Sequence, residues 1–359
     1  MKKAGIIIEY NPMHLGHKHH IQETKKITNC DLLIGVMSPN FVQRGQPAIV
    51  SKFKRTQAAL ENGVDIVVEL PTFYALQSAS HFGSKAIQIL DMMQVDSIVF
   101  GSETNDIQTL QEYATLPINI DKVKERLQLG YSYPAALSLD DYQLYPNDIL
   151  GVSYIRAAQN TQIKIYTIKR TNSYFENKDS SFYSAYDIRN NLDKPEFVSQ
   201  SLTDLSETVN MDLMFDLLRY KLISSSSTEL SQIFLVNEGI QNLLKEKIVE
   251  AKDYNHFLSL CTSKRYSTSR ISRICMHILL NTKEVDIKDY KVRVLGITQS
   301  ALSSLKGLPV GTKVSDFDPN QIQAEIKATE IYSLFSPEKN LLQQEISKII
   351  IHPSSPYSL

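Results

Sequence analysis

Short apolar runs alternate with amphipathic stretches through the first half of this 359-residue chain. The apolar runs predict buried strands, and the stretches between them place apolar residues at helical spacing. The predicted strands are residues 4–8, 32–37, 65–70, 97–100 and 163–168, and the predicted helices are residues 18–28, 52–62, 80–93 and a segment that begins at Pro146. Such alternation indicates parallel β-α-β units, so we expect an α/β fold with a doubly wound parallel sheet.

The pattern changes near Pro195, after which amphipathic helices dominate. This change predicts two domains, a nucleotide-binding catalytic domain at residues 1–194 and a mainly helical domain at residues 195–359. Residues 290–314 are more mixed, because several glycines and a proline interrupt them. Residues 174–183 are polar, and we expect a mobile loop there.

Composition limits the classes of function. The formal net charge is −1, which excludes a globally basic nucleic-acid binder and leaves only a local patch for RNA. No stretch has the roughly 20 apolar residues that cross a bilayer, and the first apolar run is too short for a signal peptide. Cys30, Cys261 and Cys275 are too few and too scattered for a disulfide framework. We therefore expect a cytoplasmic protein with no membrane partner.

The turn between the first strand and the first helix carries the strongest candidate chemistry, in the segment from Glu9 to His17. At the carboxyl end of a parallel strand, free backbone N–H groups and the positive end of the helix dipole face an anion. Pro12 stiffens this turn, and Gly16 lets a polyphosphate approach the backbone. His14 and His17 are three residues apart, which places both imidazoles where they can donate to phosphate oxygens.

A zinc cluster of His17, His19 and His20 is the alternative interpretation, because imidazole is a common zinc ligand. No cysteine or acidic residue nearby is spaced to complete such a site. We therefore predict no metal site, with Lys18, His19 and His20 as solvated or substrate-facing side chains.

Several motifs besides this turn carry a family resemblance. They are Ser38-Pro39-Asn40-Phe41-Val42-Gln43-Arg44-Gly45, Phe100-Gly101-Ser102-Glu103, Pro146-Asn147-Asp148-Ile149-Leu150-Gly151, Ile168-Lys169-Arg170, residues 266–273, Arg293-Val294-Leu295-Gly296 and Ala328-Thr329-Glu330-Ile331-Tyr332. Together they resemble the bacterial tRNA(Met) cytidine acetate ligases over nearly the whole chain. The His-x-Gly-His element alone is typical of the wider nucleotidyltransferase superfamily.

The resemblance implies ATP-dependent activation of acetate to acetyl-adenylate, with loss of pyrophosphate. The acetyl group then passes to N4 of the wobble cytidine (C34) of elongator tRNA(Met), which forms N4-acetylcytidine. It implies ATP with Mg²⁺ and no acetyl-CoA. The implied ATP-binding positions are Ile7, Ile8, Glu9, Tyr10, Asn11, Pro12, Met13, His14, Leu15, Gly16, His17, Lys18, His19, His20, Gly101, Asn147 and Arg170.

Three of these positions have simpler interpretations. Gly101 is equally consistent with a turn glycine, Asn147 or Asp148 with a helix cap, and Arg170 with a surface arginine. Further candidates for phosphate or substrate contacts are Asn40, Gln43, Arg44, Ser184 and Arg189. The last two lie in a motif that departs from the superfamily pattern, since its expected central hydroxyl is replaced by Tyr186 or Asp187.

The candidates for tRNA binding are Lys264, Arg265, Arg270 and Arg273. Helical phase predicts that Ile271, Ile274, Cys275 and Ile278 point inward and that His277 joins the arginines outside. A solvated helix face is the alternative. Residues 51–55 form a second basic run, which we interpret as a helix start that touches RNA.

Two other functions remain open from the sequence. One is a nucleotidyltransferase that adenylylates or cytidylylates a small phosphorylated substrate with the same histidines. The other is a nucleotide-sensing RNA-binding protein without catalysis. The large helical segment argues against the first, and the intact histidine pair argues against the second.

Overall fold

The structure is a computed structural model that describes residues 1–116, 120–129, 144–170, 182–284, 287–347 and 349–353. The predicted loop at residues 174–183 lies outside these residues, except for its last two positions. The strands are β1 (Lys3–Ile8), β2 (Leu32–Met37), β3 (Phe41–Val42), β4 (Gln46–Pro47), β5 (Ile66–Glu69), β6 (Ser97–Ser102), β7 (Lys164–Lys169), β8 (Val292–Thr298), β9 (Val310–Gly311) and β10 (Ile350–His352). All five predicted strands are confirmed within two residues at each end.

Helices fill the intervals between these strands and form most of the chain after residue 195. They are α1 (Leu15–Thr28), α2 (Lys52–Glu61), α3 (Thr72–Ala75), α4 (Ala79–Met92), α5 (Ile107–Thr115), α6 (Ile120–Gln128), α7 (Pro146–Ala158), α8 (Ala185–Arg189), α9 (Pro195–Val198), α10 (Met211–Ser224), α11 (Ser227–Ser231), α12 (Ile240–Glu250), α13 (Tyr254–Cys261), α14 (Thr268–Leu280), α15 (Pro319–Ser333) and α16 (Leu341–Ile346). Short 3₁₀ helices cover Gln299–Leu305 and Val314–Asp316.

The main sheet has the order β10-β8-β5-β2-β1-β6-β7, with β9 paired to β8. Strands β5, β2, β1, β6 and β7 are mutually parallel. The order runs outward from β1 in both directions along the sheet, so the doubly wound fold is confirmed. β1 and β2 are almost wholly buried, which explains their continuous apolar sequence.

The strand order reverses between β1 and β6, and these two strands part toward their carboxyl ends. Their register pairs only Ala4 with Ser97 and Gly5 with Ile98, although β1 continues to Ile8. A doubly wound sheet binds ligands in the crevice at such a switch point. The fold therefore places its crevice directly below the turn that carries His14 and His17.

Three strands of the predicted C-terminal domain, β8, β9 and β10, lie in the N-terminal sheet. β8 pairs antiparallel with β5, and β10 pairs parallel with β8. The sheet is thus mixed rather than wholly parallel. The predicted division at residue 195 stays a proposal. The pairing of β8 with β5 could not be predicted from the sequence, because the two strands lie more than 200 residues apart in the chain and leave no local pattern.

Lys52 and Arg55 in the basic run at residues 51–55 are buried rather than exposed to RNA, which corrects our interpretation for these two, whereas Lys54 is half-buried. Lys52 Nζ lies 2.5 Å from Glu69 and 2.8 Å from Glu345, and Arg293 binds the same two carboxylates. The Arg55 guanidinium donates to backbone carbonyls, including that of Glu9 at 2.7 Å. Basic residues at a helix start give the same sequence pattern whether they face water or buried carboxylates. The sequence alone therefore could not show that Lys52 and Arg55 are buried.

Candidate active site

His14 and His17 cap the helix that begins at Leu15. His14 is the N-cap residue, and its Nδ1 accepts the backbone N–H of Gly16 at 3.1 Å. His17 Nδ1 accepts the backbone N–H of His14 at 3.3 Å, which completes a capping box made of two imidazoles. The ring centroids lie 3.8 Å apart. Because each Nδ1 is an acceptor, the proton of each neutral ring lies on Nε2.

Both rings are neutral near pH 7. Burial lowers the pKa of His14 to about 4; the guanidiniums of Arg170 and Arg189 contribute in the same direction, and Asp187 opposes them. Burial also lowers the pKa of His17 well below its usual value, helped by His14 and Arg170. The pair therefore offers two N–H donors to an incoming anion without carrying charge itself.

Gly16 is required by this geometry. A Cβ at this position would lie 2.9 Å from Cε1 of His14 and 3.1 Å from its Nδ1, closer than real Cβ contacts allow. Any side chain would displace the His14 ring from the cap. The glycine of His-x-Gly-His thus keeps the first imidazole in place as well as leaving room for a ligand.

A second group of predicted residues lies on the β6 side of the crevice. Gly101 is in β6, and a Cβ there would contact Cγ of Arg170 at 3.2 Å. Arg170 Nε lies 4.0 Å from Glu103 Oε1, and it has no hydrogen-bond partner among the described residues although it is buried. Asn147 donates from Nδ2 to Glu103 at 2.5 Å. The structure therefore brings Gly101, Asn147 and Arg170 together around Glu103.

Glu103 is a residue that the sequence reasoning did not select, although it stands in the motif that ends β6. Its carboxylate also accepts the backbone N–H of Asn147 at 3.2 Å. Our alternative of a cap at Asn147 or Asp148 is wrong. Tyr145 is the N-cap residue, and Asp148 accepts from Ser102 Oγ at 2.5 Å and from two backbone N–H groups of the loop that follows β6.

Residues 182–203 close over the histidine turn. Leu202 N–H donates to the Met13 carbonyl at 2.8 Å, and Arg189 Nη1 donates to the Asn11 carbonyl at 2.5 Å. Ser184 and Asp187 form a capping box in which Ser184 Oγ donates to Asp187 at 2.6 Å. The acidic side chain that replaces the expected hydroxyl is therefore bound by its own helix start, and Arg189 faces the histidines.

The loop after β2 contacts the other side of the turn. Glu9 accepts the backbone N–H of Gln43 at 2.8 Å and the Ser38 hydroxyl at 2.9 Å. Arg44 is exposed beside Gln43. Asn40 is fully buried: its amide donates to Thr329 at 3.0 Å and accepts the backbone N–H of Lys52 at 2.9 Å. This structural role replaces the predicted substrate contact at Asn40.

The implied ATP segment contains both core and crevice residues. Ile8, Tyr10, Asn11, Pro12 and Met13 are buried, so they offer backbone atoms rather than side chains to a ligand. The half-buried members are Ile7, Glu9, Leu15, Gly16, His17, Lys18, His19 and His20. His20 Nε2 donates to the Val99 carbonyl at 3.2 Å, which ties α1 to β6, and His19 stacks on Phe182 with centroids 6.3 Å apart.

The predicted basic stripe lies on α14, next to the loop after β2. Lys264, Arg265 and Arg270 are exposed or half-buried. Arg273 Nη1 lies 3.5 Å from the Gln43 carbonyl, and burial lowers its pKa to about 10. His277 is fully buried and donates to the Leu76 carbonyl at 3.0 Å, so the prediction that it lies outside is wrong. Helix α14 packs on two sides, which single-face periodicity does not reveal.

Neither a metal-binding cluster nor a membrane-spanning helix is present among the residues that the structure describes. In the part of the chain that the structure describes, no group of three His, Cys, Asp or Glu side chains is arranged to hold a metal ion. Within the same residues, no helix combines the length and apolar character needed to traverse a bilayer.

This chain is similar to known proteins in both sequence and fold. A family model of HIGH nucleotidyl transferases matches residues 1–346. Proteins named tRNA(Met) cytidine acetate ligase from two strains of Staphylococcus aureus are 36% identical over 367 residues, which covers 94% of this chain and 97% of theirs. The crystal structure of Thermotoga maritima TmcAL bound with alpha-thio ATP superposes with a TM-score of 0.85 at 29% identity, over 99% of this chain and 100% of that one. Its apo form gives a TM-score of 0.86.

Proposed function

The chain belongs to the HIGH nucleotidyl transferase family, and within it to the tRNA(Met) cytidine acetate ligases, so we propose that it is an ATP-dependent ligase that acetylates tRNA(Met). Acetate and ATP form acetyl-adenylate and pyrophosphate. The acetyl group then moves to N4 of the wobble cytidine of elongator tRNA(Met). The relative whose structure was solved with an ATP analogue supports ATP as the first substrate.

The observation that carries the proposal is the convergence of neutral and cationic donors on one crevice. The imidazoles of His14 and His17 lie on one side, and both Arg170 and Arg189 are close enough to lower the pKa of His14. The buried Nε of Arg170 lies 4.0 Å from Glu103 and makes no hydrogen bond among the described residues, so it can donate to an anionic ligand. A triphosphate is the anion that this donor set and a switch-point crevice suit.

In the first step, an acetate oxygen attacks the α-phosphorus of ATP, an O–P bond forms, and the bond to pyrophosphate breaks. Negative charge grows on the phosphate oxygens and on the leaving pyrophosphate. N–H donors on His14 and His17 and the guanidinium of Arg170 stabilise this charge without reorganising, since hydrogen bonds already fix both rings. We propose these two histidines as the catalytic residues.

In the second step, N4 of cytidine attacks the acetyl carbon, the bond to AMP breaks, and N4 loses a proton. Gln43, in the loop after β2, contacts both Glu9 and Arg273, which supports a role of this loop in the second step. We propose Gln43 and Arg44 as groups that flank acetate. Lys264, Arg265, Arg270 and Arg273 are proposed to bind tRNA phosphates, which position the RNA while the cytidine is unstacked into the crevice.

Mg²⁺ is proposed to arrive with the triphosphate, since the described residues contain no protein cage for it. It would neutralise charge on the phosphates. We propose that acetyl-CoA is not used, and that the protein works in the cytoplasm, where its three free thiols stay reduced.

Acetate-dependent exchange of pyrophosphate into ATP tests the first step, and mass analysis of tRNA(Met) after incubation with ATP and acetate tests the second. We expect exchange that requires acetate and a mass gain of one acetyl group on the tRNA. The alternative, a nucleotidyltransferase for a small phosphorylated substrate, predicts no acetate-dependent exchange and unmodified tRNA.

The division between the two steps is tested by Arg270→Ala, with Lys122→Ala on α6 as the control. Arg270→Ala is expected to raise the KM for tRNA about tenfold and to leave exchange unchanged, because a single phosphate contact is lost. Loss of exchange in Arg270→Ala would contradict a role in RNA binding alone.

A further inference from the structure

The carboxylate of Glu238 contacts three side chains in the region proposed to bind tRNA: Arg265, Arg270 and Tyr266. Its Oε2 is 3.0 Å from Nη2 of Arg265 and 3.6 Å from Nη2 of Arg270. The hydroxyl of Tyr266 also donates to this oxygen at 3.3 Å. One carboxylate therefore binds two of the cations that the proposed function assigns to RNA.

The two guanidiniums are held in place by the ring between them. Arg265 lies 5.4 Å and Arg270 4.9 Å from the ring centroid of Tyr266. Arg270 also donates to Asn237 Oδ1 at 3.4 Å. Stacking of this kind orders a guanidinium fork before its ligand arrives, and a fork of this type binds carboxylate and phosphate oxygens alike.

The backbone holds Glu238 in this position at a cost. Its φ is +54°, in the left-handed region that a glutamate seldom adopts. The ion pair with Arg265 is exposed, with 59% and 45% of the two side chains accessible, and exposed pairs add little to stability. The ion pair therefore adds little to the stability of the fold.

We propose that Glu238 stands in for a backbone phosphate of tRNA and is displaced when the tRNA binds. This inference rests on the proposed function. Binding then exchanges one anion for another at Arg265 and Arg270, so the net gain from this contact is smaller than it would be if no carboxylate were bound there. An RNA must therefore fill the crevice as well to remain bound, and the acetylated product leaves more readily.

Glu238→Gln tests this, because the amide keeps the size and a hydrogen-bond acceptor but removes the charge. We expect tRNA(Met) to bind about three- to tenfold more tightly at low salt, with the difference shrinking as salt rises. Glu61→Gln is the matched control: Glu61 is an exposed carboxylate at the end of α2 that bonds to Gln57. It carries the same change in net charge and is expected to leave the Kd within about twofold.

A double variant links the effect to the arginine. In an Arg265→Ala background, Glu238→Gln is expected to give a smaller gain in affinity, because the carboxylate then blocks one cation fewer. Equal or weaker binding by Glu238→Gln relative to wild type overturns the inference. Failure of the wild-type protein to acetylate tRNA(Met) would instead contradict the proposed function. The affinity of Glu238→Gln and the activity of the wild type therefore test the two proposals separately.

Discussion

The backbone N–H of His14 donates to Nδ1 of His17 at 3.3 Å, while Nδ1 of His14 accepts the N–H of Gly16. These two bonds make the histidines part of the helix cap as well as part of the candidate site. They select the tautomer with the proton on Nε2, which is the nitrogen left to donate to a ligand.

The two roles of His14 separate in His14→Asn. Asparagine is among the favoured N-cap residues, so the free energy of unfolding is expected to stay within about 1 kcal/mol of wild type. Acetate-dependent exchange is expected to fall about 100-fold, because one donor to the reacting phosphate is lost. His14→Ala loses both roles and should be less stable by about 1 kcal/mol more. Wild-type exchange in His14→Asn would exclude the proposed donor role.

Glu103 is expected to organise the other side of the site, because it binds Asn147 and lies next to Arg170. Glu103→Gln keeps an acceptor for Asn147 but loses the ion pair, so the KM for ATP is expected to rise about tenfold. Steady-state exchange at varied ATP measures this. Asp106→Asn is the control, since Asp106 caps α5 in the same loop and asparagine caps equally well. Equal changes in both variants would assign the effect to the loop.

Lys52 and Lys54 of α2 are expected to contribute very differently to the free energy of unfolding, because only Lys52 is buried. Lys52→Met leaves Glu69 and Glu345 with one cation fewer in the core and is expected to destabilise the fold by about 3–5 kcal/mol. Lys54→Met removes only exposed pairs with Asp204 and Glu207 and should cost at most about 1 kcal/mol. Urea unfolding measures both, and similar losses would show that Lys52 is not in a closed core.

Stability is expected to fall as the pH drops from 6.5 toward 4. Burial lowers the pKa values of His14, His20 and His277 to about 4, whereas the same groups titrate near 6.5 in the unfolded chain. The unfolded state therefore binds more protons in this window, and each histidine contributes a slope of at most about 1.4 kcal/mol per pH unit. Above pH 6.5 this contribution is fully present.

His277→Gln measures the contribution of His277 to the pH dependence of the free energy of unfolding. Glutamine is expected to retain a donor for the Leu76 carbonyl, so urea unfolding should show a shallower pH dependence between 6.5 and 4 than wild type. An unchanged slope in His277→Gln would contradict the buried, neutral state of this ring.

Local pattern was sufficient for the strands and for the histidine turn, because burial of a parallel sheet imposes continuous apolar runs and the turn follows directly along the chain. Local pattern did not predict the position of a side chain whose partner lies far away in the sequence. His277 was placed outside by periodicity, yet α3 and the Leu76 carbonyl cover that face of α14. The role of Glu103 could not be predicted, because it depends on the packing of β6 and α7, which lets Glu103 accept the backbone N–H of Asn147.

The position of β8 has a consequence for synthesis on the ribosome. β5 borders β2 on one side, but its other edge stays open until β8 is made, and Glu345 follows Lys52 by 293 residues. A nascent chain that ends before residue 292 therefore carries an unpaired apolar edge and incompletely matched buried charges. The catalytic sheet can complete itself only after β8 has been made, and truncation before residue 292 is expected to yield aggregating chains rather than a separable nucleotide-binding fragment.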